Sequence, residues 1–145
     1  MKCARWFGIF LLLLAPNLGV ANDALEVKLV ADGVYAVIPK GPFDGRCNSA
    51  IILLDDGVLV VDTQSTPAQA QQVIAQIKKL SDKPVKYVVN SHGHFDHWQG
   101  NQAYVETWPG VEIVASEAAR EVIERRAVPG MSRGRLRLPK EIDQL

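Results

Sequence analysis

All three histidines of this chain, His92, His94 and His97, fall within six consecutive positions, with Asp96 among them. They follow directly on Val85–Asn90, a largely apolar run that reads as a strand buried on both faces. The residues after it therefore form a loop at a strand's carboxyl end, where open α/β sheets place ligands. No other feature constrains the fold as much, because the fold must deliver four nitrogen and oxygen donors to one sheet edge. In an extended loop alternate side chains point the same way, so His92 and His94 can turn toward one point. Gly93 leaves the backbone between them free to bend. From Asp96 the loop is expected to turn into a short helix through Gln102 and Tyr104, placing the carboxylate near that helix's positive end.

The flanking sequence supplies the sheet. Val27 and Leu29 alternate with polar residues, and Asp32-Gly33 turns the chain into Val34–Ile38. A second apolar pair, Ala50–Leu54 and Val58–Val61, is joined by Asp55-Asp56-Gly57. Asp-Gly between apolar runs marks a hairpin, because the turn needs the positive φ that glycine tolerates. The Gly- and Pro-rich stretch from Pro39 to Gly45 reads as a surface loop. The period then changes: Thr66 can cap a helix, Pro67 suits its first turn, and Ala70, Val73, Ile74, Ile77 and Leu80 recur at helical spacing. Val111–Ala115 follows as a strand and Glu117–Arg126 as a helix. Strand runs followed by strand-helix-strand units make an α/β (α+β) domain, a mixed sheet with antiparallel hairpins and packed helices.

The chain of 145 residues suits one domain, and 48% hydrophobic with 22% charged residues is ordinary globular composition. Sixteen basic residues balance sixteen acidic ones, so no positive field invites nucleic acid or an anionic membrane. Lys2 and Arg5, the apolar run Trp6–Ala15, and the breakers and small residues from Pro16 to Ala21 have the layout of a secretory signal peptide. The expectation is cleavage after Ala21, export to the periplasm or the medium, and no stable membrane insertion afterwards. A short uncleaved anchor is the alternative reading. Cys3 would leave with the leader, so Cys47 stays unpaired and is expected to be a small buried hydrophobe rather than a reactive thiol. Residues 22–127 carry the folded pattern; 128–145, with Arg133, Arg135 and Arg137, read as an irregular connecting tail or a basic patch.

Imidazole and carboxylate suit zinc, which takes four ligands, although iron or manganese can occupy such sets. Four donors within six residues exceed what one tetrahedral ion draws from a tight loop, which favours two ions, each with ligands from elsewhere. Divalent cations so placed activate water as a nucleophile and polarise a scissile carbonyl or ester. Asp96 is the residue expected to ligate and also to pass a proton to the leaving group. Phe95 and Trp98 are expected to serve packing.

The run His92-Gly93-His94-Phe95-Asp96-His97 resembles the His-x-His-x-Asp-His signature of the metallo-β-lactamase superfamily at every fixed position. The resemblance extends over the hairpins, the Val60-Val61-Asp62-Thr63 strand end and the first helix. It implies that His92 and His94 serve a first zinc ion, and that Asp96 and His97 serve a second. It further implies that Asp62 orients a ligand or the loop; from the residues alone Asp62 is equally a strand-end turn residue. The Gly41–Cys47 loop is where such a likeness places substrate contacts. The family's αβ/βα sandwich draws further histidines and an aspartate from its second half, whereas this chain has no other histidine. The expected reading is thus the N-terminal half of a zinc-dependent hydrolase acting on a small-molecule ester, thioester or amide-type bond. On its own this half is expected to be inactive, its domain continuing beyond the chain end in a C-terminal partner half. The alternative is a non-catalytic exported metal-binding or interaction module built on the same loop.

Overall fold

The computed structural model describes residues 24–126. The expected leader, with Cys3, and the tail over 128–145, with its arginines, lie outside the described residues. The chain runs β1 (Leu25–Ala31), β2 (Val34–Pro39), β3 (Ser49–Leu53), β4 (Val58–Val61), α1 (Pro67–Leu80), β5 (Val85–Asn90), α2 (Phe95–Trp98), α3 (Asn101–Thr107), β6 (Glu112–Ala115) and α4 (Glu117–Arg126). The six strands form one sheet in sequence order. β1 to β4 pair antiparallel through hairpins. β4, β5 and β6 are parallel, as strand-helix-strand crossovers require. This is the expected mixed α+β architecture. Gly33 makes the first turn with φ +68°, which a side-chain-bearing residue adopts only with strain.

Helix α1 starts where the Thr66 side chain accepts a hydrogen bond from the Gln69 amide at 3.2 Å, with Pro67 at its first position. Its apolar stripe, Ala70, Val73, Ile74 and Ile77, is buried, and Leu80 is partly so. The stripe packs on Val37, Ile51, Val58, Val60, Val85 and Val88, all essentially inaccessible, and Tyr104 of α3 completes the cluster. Burying each such Val or Ile contributes roughly 1.5–3 kcal/mol, which makes this layer the main source of stability.

The opposite sheet face differs from expectation. Val85–Asn90 reads as buried on both faces, but only Val85, Val88 and Asn90 are buried; Lys86, Tyr87 and Val89 are half-covered. The strand registers place Ala36, Ala50, Val61, Val89 and Val114 in one cross-strand row on that face. Ile52, Leu59 and Tyr87 form the adjacent row. Apart from Val114, these residues are only half-buried in the described chain. The apolar character that mimics a doubly covered strand is therefore real, while helices α1 and α3 cover one side alone.

Candidate metal centre

The candidate residues gather at the carboxyl ends of the parallel strands β4 and β5. Asp62 leaves β4 with φ 63°, a left-handed turn that aspartate tolerates better than most residues. The turn leaves Asp62 only 6% exposed under the loop that follows β5. Three donors converge on it. The Ser91 amide donates to Oδ1 at 2.8 Å, the Ser91 hydroxyl to Oδ2 at 2.7 Å, and the Nδ1 of His97 lies 2.8 Å from the same Oδ2. A carboxylate only accepts, so His97 carries a proton on Nδ1, and Nε2 is the nitrogen turned toward Asp96.

The histidines come together as their spacing suggests. His92 Nε2 and His94 Nδ1 face each other at 2.9 Å, with the rings edge-on. The His92 and His97 ring centroids are 3.9 Å apart. Asp96 opens α2, and its Oδ2 lies 3.4 Å from His97 Nε2. Among the described residues, no three histidine, cysteine or acidic side chains converge on one point as a ready-made coordination sphere. The donors are arranged instead as two pairs, His92 with His94 and Asp96 with His97, and within each pair the donors lie against one another.

Those separations test whether the residues suit zinc. Tetrahedral ligands at about 2.0–2.2 Å stand about 3.3–3.6 Å from each other. The Asp96–His97 pair already has that spacing, and the His92–His94 pair needs about 0.4 Å of opening, a small tilt of two rings on an exposed loop. Donor chemistry and spacing both fit. The set is incomplete, because a tetrahedral ion takes four ligands and each pair offers two.

Backbone contacts fix where this loop stands. The His97 carbonyl accepts from the Thr63 amide at 3.0 Å and from Asn90 Nδ2 at 3.0 Å. Asn90 and Asn101 are nearly inaccessible and bind each other reciprocally, at 2.8 and 3.1 Å, with Thr63 Oγ1 donating to Asn101 Oδ1 at 2.7 Å. The Gly100 amide donates to Gln64 O at 3.0 Å, and a Cβ on Gly100 would press into the Thr63 backbone. Glycine is thus required between α2 and α3, where one continuous short helix was expected. Gly93 also has a packing reason beyond flexibility: a Cβ there would stand 2.5 Å from Val122 Cβ of α4. Trp98 is buried and donates to Gly93 O at 3.3 Å. Phe95, expected to pack, is 49% exposed beside the histidines instead.

The Gly41–Cys47 loop is tied to the same strand end. The Ser65 hydroxyl donates to Gly45 O, and Gln64 Nε2 donates to Cys47 O and Ser49 Oγ at 2.9 and 2.7 Å. Cys47 is buried with its thiol free. Burial pushes that thiol up to about 11, and the Asp62 and Asp96 carboxylates add to the rise against a hydrogen bond from Gln64. It is therefore a protonated, inert side chain at neutral pH. Thr63, Gln64, Ser91, Asn90 and Asn101 are the positioning residues that reading the sequence missed. The available signal was Asn90 ending an otherwise apolar strand, since a buried amide demands a partner.

The fold and this cluster define a class: an α+β domain with imidazole and carboxylate groups at the carboxyl edge of its parallel strands. The sequence pattern of the metallo-beta-lactamase superfamily matches residues 42–144, and the chain belongs to that superfamily. A linear primary-alkylsulfatase of a Pseudomonas species is 42% identical over 50 residues, 34% of this chain and 10% of that protein. A hydroxyacylglutathione hydrolase of Gloeobacter violaceus is 29% identical over 82 residues, 57% of this chain and 30% of that protein. Among solved structures, a metallo-beta-lactamase from Pontibacter korlensis superposes with TM-score 0.61 at 24% identity, over 71% of this chain and 48% of its own. One from Pseudomonas aeruginosa, solved in a mono-zinc form, gives TM-score 0.59 at 20% identity, over 72% and 47%. The chain thus spans about half the length of the solved structures and less of the curated relatives.

Proposed function

We propose that this chain carries half of the zinc site of a hydrolase, with His92 and His94 serving one ion and Asp96 and His97 a second. The observation that carries the reading is the pairing of donors at near-coordination spacing, with Asp62 holding His97 through Nδ1 so that Nε2 faces Asp96. Bound there, the metal supplies Lewis acidity toward the scissile bond and a nucleophile from water at neutral pH. The chain's own residues do the rest. Asp62 sets the ring of His97, the Asn90–Asn101–Thr63 cluster holds its backbone, and Asp96 stands where it can ligate and hand a proton to a leaving group. The Gly41–Cys47 loop, tied to the strand end through Ser65 and Gln64, borders the site where substrate would enter.

The substrate is a small molecule with an ester, thioester or amide-type bond; a linear primary-alkylsulfatase and a hydroxyacylglutathione hydrolase among the similar proteins support a hydrolase. The half-covered sheet face is the surface on which a second half of the sandwich would close, bringing the ligands each pair lacks. Export to the periplasm or medium follows from the leader-like segment before residue 22.

Zinc titration of the purified chain tests the site, and sulfate-ester and acylglutathione hydrolysis by the full-length protein tests the activity. Uptake lowered in the His92→Ala, His94→Ala double variant supports the site. Zinc uptake without any hydrolysis would favour the metal-binding module instead.

A further inference from the structure

We propose that Ser91 is a positioning residue that decides which nitrogen of His92 faces His94. Its hydroxyl has a single proton and two neighbours, Asp62 Oδ2 at 2.7 Å and His92 Nδ1 at 3.0 Å. The carboxylate can only accept, so the hydroxyl donates to Asp62 and offers His92 a lone pair. His92 must then carry its proton on Nδ1, which leaves Nε2 bare and aimed at His94 Nδ1, 2.9 Å away. Between two neutral imidazoles the proton of such a bond can sit on either nitrogen. Ser91 removes that degeneracy and assigns the proton to His94.

Asp62 thereby governs two histidines from one carboxylate oxygen, His97 directly and His92 through Ser91. Ser91 is exposed, so packing gives no reason for its hydroxyl, and its amide bond to Asp62 Oδ1 survives removal of the side chain. Hydrogen bonds of this relayed kind hold a metal-binding imidazole in one tautomer and raise its basicity. The zinc part of the inference rests on the proposed metal site, whereas the tautomer part does not.

The test is nitrogen-15 NMR of the imidazoles in the metal-free chain at pH 8, paired with zinc titration, on the natural chain, Ser91→Ala and Ser91→Thr. The natural chain should show His92 protonated at Nδ1, with Nε2 unprotonated. Ser91→Ala should show a mixture of tautomers and bind zinc about 10–100-fold more weakly, while Ser91→Thr restores both. The alanine variant keeps the amide bond to Asp62 Oδ1 that fixes the start of the loop, so it should remain folded. His92 protonated at Nε2 in the natural chain overturns the proposal on its own, even if the alanine variant fails to fold. So does an unchanged tautomer in Ser91→Ala. A locked tautomer in a chain that takes up no zinc would sink the metal site and leave the role of Ser91 standing.

Discussion

Gly100→Ala should separate the helical arm of the site from the strand arm, and its cost can be worked from the contacts. A Cβ at position 100 would lie 2.8 Å from Thr63 C and 2.8 Å from Ala70 Cβ, and closer still to Thr63 O, where real Cβ atoms keep at least 3.0 Å. The obstruction includes backbone, so no side-chain rotation relieves it. The junction of α2 and α3 must retreat from Thr63 by roughly an ångström, past the reach of a hydrogen bond. Two buried backbone bonds, Thr63 N to His97 O and Gly100 N to Gln64 O, both 3.0 Å, would open. Leaving buried groups unpaired costs about 1–3 kcal/mol each, so the loss should be about 3 kcal/mol. For a domain of about 100 residues that lowers the melting midpoint by about 12–24 °C. Circular-dichroism melts of the natural chain and the variant read this directly. A variant melting within about 2 °C of the natural chain would refute the claim that Gly100 holds α2 against β4.

Asp62→Asn replaces one accepting oxygen with an amide NH2, which faces a donor in either orientation: the Ser91 amide, or the Ser91 hydroxyl and His97 Nδ1. Zinc affinity by calorimetry should fall about 10–100-fold, and affinity within threefold of the natural chain would contradict the orienting role. Cys47 makes stability depend on alkaline pH. Its folded thiol is raised from 9.0 to about 11, so the unfolded chain releases the proton first. The contribution is complete below pH 9 and is lost as pH rises from 9 to about 11. Urea unfolding at pH 8, 10 and 11 should show the natural chain losing more stability than Cys47→Ala; parallel curves would refute it.

Local physics made most of the fold legible. The Asp32-Gly33 turn, the Thr66-Pro67 start of α1 and the limits of β5 and α4 all fall where turn chemistry and periodicity place them. That His92, His94, Asp96 and His97 gather after β5 follows from their spacing, whereas Asp62 was suggested by the family resemblance and not by its own residue type or position. What was hidden depends on tertiary proximity. The Asn90–Asn101 pair joins residues eleven positions apart across a turn, and Thr63 joins it from the loop after β4. The break at Gly100 follows from the approach of Thr63, which no local pattern announces. The second face of β5 misled for a similar reason, since an apolar run records what a strand is suited to contact and not what covers it within these residues.

The most direct test of the account is a calorimetric zinc titration of the metal-free chain beside the His92→Ala, His94→Ala double variant. The account predicts stoichiometric uptake by the natural chain, accompanied by loss of the His92–His94 hydrogen-bonded proton, and no comparable binding by the variant. Zinc binding of equal affinity and stoichiometry in both, or none in the natural chain, would contradict it.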